Sequence, residues 1–383
     1  MMMSPIGKTT VILAVSGLAV MALGSPVPAS GATGWQVFAT IAPNNQEVQL
    51  NAVTAIGRGD AWAVGPMGTG TDGIVVHWNG TRWRQAAVPA GVLAKVSVLS
   101  SVTATSDNNV WAFNFNGNWL HFNGSSWTSG RVPTFPHGSH GLGIAMGLAV
   151  SKRSAWVFGF DDTPAKLISY AAHFNGSTWR AMSLPGPAGQ FGVFDASAVS
   201  ANDIWAVVDG GPGKPTANGL LRWNGRRWRS VAMPAFLAQK TNLASVLALP
   251  GGQVWVAGGI PHSAGHAQGV TALRNGHTWT VDKLPADPAT TDDVIGDLVP
   301  DGSGGVWAMG FTPLGCAGPM WHESAGTWTD TGLVGCSVGA YVHGPQGLAN
   351  VPGTTSVWGV GGQNDPSVPN DEAGLVLLYG SQP

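Results

Sequence analysis

Between Ala52 and Val88 the chain is written in four short apolar runs, AVTAI (52–56), AWAVG (61–65), IVVHW (74–78) and RWRQAAV (82–88), separated by Gly, Asn, Asp and Thr. Runs of this length bounded by turn formers read as β-strands, here labelled A to D. The same arrangement recurs down the chain. Trp62, Trp111, Trp156, Trp205, Trp255, Trp307 and Trp358 each sit in a B run, at separations of 45 to 52 residues, and Trp83, Trp127, Trp179, Trp228, Trp279 and Trp328 mark the D runs in step with them. Self-similarity at about 50 residues, with four strands per unit and no helical period, predicts the blades of a β-propeller. Seven B-run tryptophans predict seven blades.

Between strands C and D stand Asn79-Gly80, Asn123-Gly124, Asn175-Gly176, Asn224-Gly225 and Asn275-Gly276. Asn-Gly is the strongest short signal for a two-residue hairpin with positive φ at both central positions. This turn also accounts for the matches to the glycosylation sequon at Asn79, Asn123 and Asn175. The last unit stops at LVLLYG (375–380), without a D strand, while residues 34–43 (GWQVFATIAP) match one. Trp35 is therefore expected to complete blade 7, so that the ring closes and no sheet edge is left to aggregate. Burial of one indole removes roughly 150–250 Å² from water, so the periodic tryptophans are read as packing between blades. Trp78, Trp119, Trp223 and Trp321 fall outside both series and are the freer candidates for a surface role.

Composition agrees with an all-β chain: of 383 residues, 56 are Gly and 18 Trp, and 44% are hydrophobic. Only 10% are charged and the formal net charge is -2, which supplies no overall basic field for nucleic acid or anionic membrane. Residues 1–32 carry Lys8, an apolar run from Val11 to Leu23 and small residues at Ser30 and Ala32, the pattern of a secretory signal peptide. The run is shorter than the roughly 20 residues that span a bilayer. The expectation is an exported, extracellular monomer over 33–383 without a cofactor. In that compartment Cys316 and Cys336 read as a disulfide.

The mature chain resembles the kelch-like propellers. A double glycine follows strand B in two units (Gly258-Gly259 and Gly361-Gly362), and in five a Trp stands six residues before a Pro, as in Trp83 and Pro89. The kelch tyrosine and the arginine after the proline are missing. The chain is also similar to secreted bacterial propellers built on DxWAVG and WNGxxW repeats. Both resemblances imply the fold and no particular activity. The demands of known propeller enzymes are not met: three tyrosines and two apparently paired cysteines do not suit a copper radical oxidase, and the sialidase repeat survives only in GSTW and GHTW.

In a four-stranded blade the A–B and C–D turns share one face, and these are short here. The B–C and D–A connections share the other face and are long and different in every blade, which is where binding residues usually reside. The candidates on that face are His137, His140, Asp161, Asp162, His262, His266, Asp292, Asp293, Tyr341, His343 and Asp365, with Cys316 and Cys336 on the same side. His262 and His266 in a Gly-rich loop fix no metal geometry, so no metal is assigned. The aspartate pairs are read as turn formers before glycosidase carboxylates or Ca²⁺ ligands. His77, His121 and His173 hold one C-strand position in three blades and are read as blade structure. The chain is expected to bind a glycan or an extracellular protein through the long connections; the alternative is a polysaccharide-active hydrolase or lyase at the mouth of the central channel.

Overall fold

The computed structural model describes residues 34–68, 72–135, 141–162, 167–185, 192–208, 218–261, 267–284, 294–311, 319–333, 346–365 and 372–383. Within them lie seven antiparallel sheets of four strands, each in the order A-B-C-D. Blade 1 comprises Ala52–Gly57, Asp60–Met67, Asp72–Trp78 and Trp83–Gln85, close to the four runs of the sequence. Blades 2 to 6 occupy 101–131, 141–183, 193–231, 242–283 and 294–333. Blade 7 takes A, B and C from Gly347–Asn350, Val357–Asn364 and Glu372–Tyr379, and its D strand is Trp35–Ile41. Trp35 pairs with Tyr379 and Ile41 with Gly374, so the two ends of the chain close the ring as expected. Each A strand touches the A strand of the next blade in an unbroken cycle, which makes these strands the lining of the axis.

Tryptophans fill the crevices between blades. A D-strand indole stands edge-on to the B-strand indole of the preceding blade: Trp83 on Trp358, Trp127 on Trp62, Trp179 on Trp111, Trp228 on Trp156, Trp328 on Trp255 and, through the closure, Trp35 on Trp307, at centroid distances of 5.4 to 5.9 Å and interplanar angles of 73° to 90°. Trp279 joins the cluster around Trp205. The edge-to-face geometry sets the positive rim of one ring against the negative face of the other, adding to the hydrophobic gain.

None of the four remaining tryptophans, the freer candidates for a surface role, is exposed. Trp78 and Trp321 are completely buried and Trp223 nearly so, while Trp119 is half-buried against Trp111. All four are C-strand residues. For Trp78 and Trp223 strand alternation explains this: the residue after the C-strand position that faces the blade's own B-strand tryptophan points back at the preceding blade, where Trp78 meets Trp358 and Trp223 meets Trp156.

The hairpins also differ from expectation. In blades 1 to 4 the paired residues around the turn are Trp78 and Trp83, Phe122 and Trp127, Phe174 and Trp179, Trp223 and Trp228, so four residues form the loop, not two. Only the glycine has positive φ. The asparagine instead folds its side chain over the turn: Asn79 Oδ1 accepts from the Thr81 and Arg82 backbone N–H groups and from the Thr81 hydroxyl, and Asn123 and Asn175 do the same. Asparagine is selected as a side-chain acceptor that mimics a backbone turn.

The glycine three residues after the B-strand tryptophan has a separate cause. A Cβ built on Gly159 or Gly258 would lie 1.9 Å from the backbone oxygen of Gly143 or Asn242, in the blade's own A strand. Backbone cannot yield as a side-chain end can. We expect Gly258→Ala to cost about 2 kcal/mol or more, read as a lowered denaturant midpoint, whereas Ala at Gly251, where no atom lies within 4 Å but φ is +95, should cost only the smaller penalty of a left-handed alanine.

Two short helices interrupt the β pattern, α1 (Ala90–Leu93) and α2 (Ala235–Lys240), each directly after a proline. Both lie in D–A connections. Strands also reach further into the long connections than the apolar runs suggest, to Asp162 and from Leu167 in blade 3, and to Asn364 and from Glu372 in blade 7.

Candidate functional site

The short-turn face is held by a repeated device. Each of four B-strand tryptophans carries a C-strand imidazole stacked on its face: His77 on Trp62, His121 on Trp111, His173 on Trp156 and His322 on Trp307, at 3.9 to 4.3 Å. The imidazole Nε2 in turn bonds a polar group near the start of strand B, namely Asp60, Asn109, Ser154 and Asp301 at 2.9 to 3.0 Å. In blades 1 to 3 the polar residue of the DxW pattern is thus the anchor of a stacked histidine; in blade 6, where Gly305 holds that position, Asp301 of the A–B turn serves instead. Burial, with Lys152 nearby, lowers His121 to about 4, and burial also lowers His173. Stacked on an indole and hydrogen-bonded at Nε2, the four rings orient side chains within the blade.

The axial lining shows a feature that the motif reading missed. Strand A presents its outer edge to the next blade's strand A, and the N–H groups there need acceptors. Ser101 and Thr103 of blade 2 accept from Gly147 and Ala149 of blade 3. Asp195 and Ser197 of blade 4 accept from Val246 and Ala248 of blade 5, and Asp297 of blade 6 accepts from Leu348 of blade 7, all at 2.8 to 3.0 Å. The Ser245 hydroxyl also donates to Asp195, at 2.8 Å. Enclosure by the ring pushes the Asp195 carboxyl up to about 7, with the charge of Asp297 adding to burial, and burial pushes Asp297 up to about 6. A sequence signal exists: Asp195 stands ten residues before Trp205 and Asp297 ten before Trp307, positions filled by Ala52, Ser101, Met146 and Ser245 in other blades.

On the long-connection face the structure places three of the candidates. Asp161 is buried, not a solvated loop residue: it ends strand B of blade 3 and accepts from the Phe135 N–H at 3.3 Å. Phe135 packs edge-on against Tyr170 at 5.5 Å, and the Tyr170 hydroxyl donates to the Pro133 carbonyl. Burial, and then Asp161, raises the Tyr170 phenol above its ordinary value. This group ties the connection before blade 3 to the blade itself, so Asp161 holds structure. Asp162 is half-buried beside it, and Asp365 follows strand B of blade 7. His137, His140, His262, His266, Asp292, Asp293, Tyr341, His343, Cys316 and Cys336 lie outside the described residues.

A cavity of about 280 Å³ opens on the same face between blades 1 and 2, lined by Met67, Asp72, Ala90, Leu93, Ala94 and Ser97. It is mostly apolar, with one carboxylate at its rim. Among the described residues no group of three or more His, Cys, Asp or Glu side chains is arranged to hold a metal ion, and no helix is long and apolar enough to cross a membrane.

No protein-family model and no curated protein sequence matches the chain. Solved structures do. The structure of YCF48 bound to D1 peptide is 15% identical with a TM-score of 0.56, over 93% of this chain and 97% of that one. The GH74 xyloglucanase from Xanthomonas campestris is 12% identical with a TM-score of 0.55, over 88% of this chain and 55% of that one. The N-terminal domain of Nup159 is 10% identical with a TM-score of 0.52, over 93% and 98%. Such likeness is one of fold alone.

Proposed function

We propose that the protein is an exported binding module that engages a glycan or an extracellular protein through its long-connection face. The observation that carries this reading is the asymmetry between the two faces. The C–D turns of blades 1 to 4 are built alike, with the asparagine side chain closing each one, while the B–C connections have four residues in blades 1 to 3, ten in blade 4, five in blade 5 and seven in blades 6 and 7. Unequal segments on a repeated rigid frame are where recognition is usually placed, and the cavity beside Asp72 lies there. The same fold occurs in a structure with a bound peptide and in a xyloglucanase, so fold does not choose between ligand classes. Any kinship to kelch propellers rests on the double glycines and the Trp–Pro spacing.

The test is binding to a glycan array and to cell-surface extracts by the mature protein and by a variant whose segments 262–266, 285–293, 312–318 and 334–345 are replaced with short Gly-Ser links. Binding that the variant loses is the expected result; a mature protein that retains nothing from either source would remove this reading. Thiol titration of secreted protein checks the export and the Cys316–Cys336 bridge together, since two free thiols would refute the bridge.

A second reading, glycan hydrolysis, is favoured by one observation, the two axial carboxyls with raised pKa. Turnover of a polysaccharide panel that Asp195→Asn abolishes would establish it. Absence of turnover removes it.

A further inference from the structure

The crevice between blades 4 and 5 departs from the pattern of the ring. Four other B-strand tryptophans are met by their own blade's C-strand histidine, while Trp255 and Trp358 stand across from Leu273 and Leu378. Five are met by an aromatic ring of the next blade's C strand, Phe122 on Trp62, Phe174 on Trp111, Trp223 on Trp156, Tyr379 on Trp307 and Trp78 on Trp358. At Trp205 both positions are arginine. Arg222 of blade 4 and Arg274 of blade 5 lie over the same indole, at 5.0 and 5.3 Å from its centroid.

Further positive charge is gathered beside them. Arg229 pairs directly across from Arg222 on strands C and D, so both side chains leave the same side of the sheet, toward blade 5. Like charges directly opposite on neighbouring strands destabilise a sheet. The four-residue turn between them carries Arg226 and Arg227, both exposed, with their backbone N–H groups held by Asn224 Oδ1 at 3.1 and 3.0 Å. Against five guanidiniums stands one carboxylate, Asp203, which takes two bonds from Arg222 at 2.7 and 3.0 Å. Arg274 has no carboxylate partner among the described residues; burial first, and the charge of Arg222 second, weakens its hold on its proton. The Trp205 ring holds Arg222 and Arg274 in place, and Asp203 holds Arg222 as well, but among the described residues the cluster keeps an excess of positive charge, in a chain with only 18 Lys and Arg. A concentrated excess of one sign attracts a ligand of the other.

We propose that the short-turn side of the crevice between blades 4 and 5 is a second docking surface, whose ligand is a polysaccharide bearing carboxylate or sulfate groups. Planar guanidiniums pair with such groups through two parallel hydrogen bonds, and Arg222, Arg226, Arg227 and Arg229 are exposed. Trp205 is 3% exposed beneath the arginines, so no aromatic platform is offered for nucleobases to stack on. Nor is there an aromatic anchor at the surface for a protein partner's pocket. This surface lies opposite the long connections and goes beyond the function proposed above.

The experiment measures binding of the mature protein at low and at physiological salt to heparin and polygalacturonate, beside poly-L-glutamate, single-stranded DNA and phosphatidylglycerol vesicles. Both polysaccharides are expected to bind, more weakly as salt rises. The exposed-site variant Arg226→Ser/Arg227→Ser/Arg229→Gln should lose about tenfold or more, as removal of one charge-assisted hydrogen bond already predicts. Arg274→Phe, which copies blades 2 and 3, should bind less tightly yet melt at a higher temperature. Protein with the long connections replaced should bind as before, which separates this site from the other. The proposal falls if neither polysaccharide binds at low salt, if the triple variant binds unchanged, if the other polyanions bind equally well, or if Arg274→Phe lowers the melting temperature and leaves binding intact.

Discussion

Removal of residues 34–41 should abolish cooperative folding, or lower the melting temperature by more than ten degrees or so, because it takes away the outer strand of blade 7. Six of its residues pair with strand C of blade 7. Phe38 stands edge-on to both Trp78 and Trp358, at 5.4 and 4.9 Å, and Trp35 packs on Trp307, so the segment fills the crevices on both sides of blade 7. Phe38→Ala alone should cost about 3–5 kcal/mol. The decisive control moves the segment without removing it. Trp35 lies opposite Tyr379, so residues 34–43 joined after Pro383 through a short turn can fold back onto the same strand. A permuted chain that regains most of the lost stability is the expected result; one as unstable as the deletion would show that the segment acts otherwise than by closing the ring.

The second large effect concerns the axis. Asp195 and Asp297 keep their protons to higher pH in the folded ring than the ordinary carboxyl value of 3.8. Between about pH 4 and pH 7 the folded state therefore binds more protons than the unfolded chain, and their contribution to stability falls as pH rises through that window. His121 and His173, lowered in the fold, act in the opposite direction. Unfolding takes up protons at these imidazoles, so stability rises with pH up to the ordinary histidine value. The two trends blunt each other in the wild type. The readout is thus the difference between wild type and Asp195→Asn/Asp297→Asn. Near pH 4 the amide and the protonated acid should be nearly equivalent. By pH 8 the variant should be the more stable, by about 1 kcal/mol or more for each carboxyl, since each unit of raised pKa is worth about 1.4 kcal/mol. A wild type that stays ahead of the variant at pH 8 would mean that the charged carboxylates earn more from the Val246 and Leu348 N–H groups than they lose by burial.

What could be read from the chain followed from local regularity. Trp62 to Trp358 announce seven B strands, the Asn-Gly pairs mark the turns, and the mismatch between the two ends predicts that Trp35 closes blade 7. Each of these depends on residues within one unit of about 50. The turn geometry was misjudged because an asparagine that accepts hydrogen bonds and one that adopts positive φ look the same in sequence. The spacing of the repeat leaves Trp78 and Trp223 unassigned because their burial depends on C-strand alternation carried into the neighbouring blade.

The candidate site was less legible. Asp161 looked like half of a turn-forming pair and proved to be a buried anchor for Phe135, a role set by where the connection before blade 3 runs. Asp195 and Asp297 act across blade boundaries, on partners 51 residues away in sequence, and Arg274 lies over Trp205 of the preceding blade. The sequence by itself determined the number of blades, the strands in each and the closure of the ring, because tryptophan burial and strand alternation are properties of each repeat. Only the tertiary structure decided which polar side chains meet, because the curvature of the closed ring brings strand A of one blade against strand A of the next, and Arg274 over an indole that belongs to another unit.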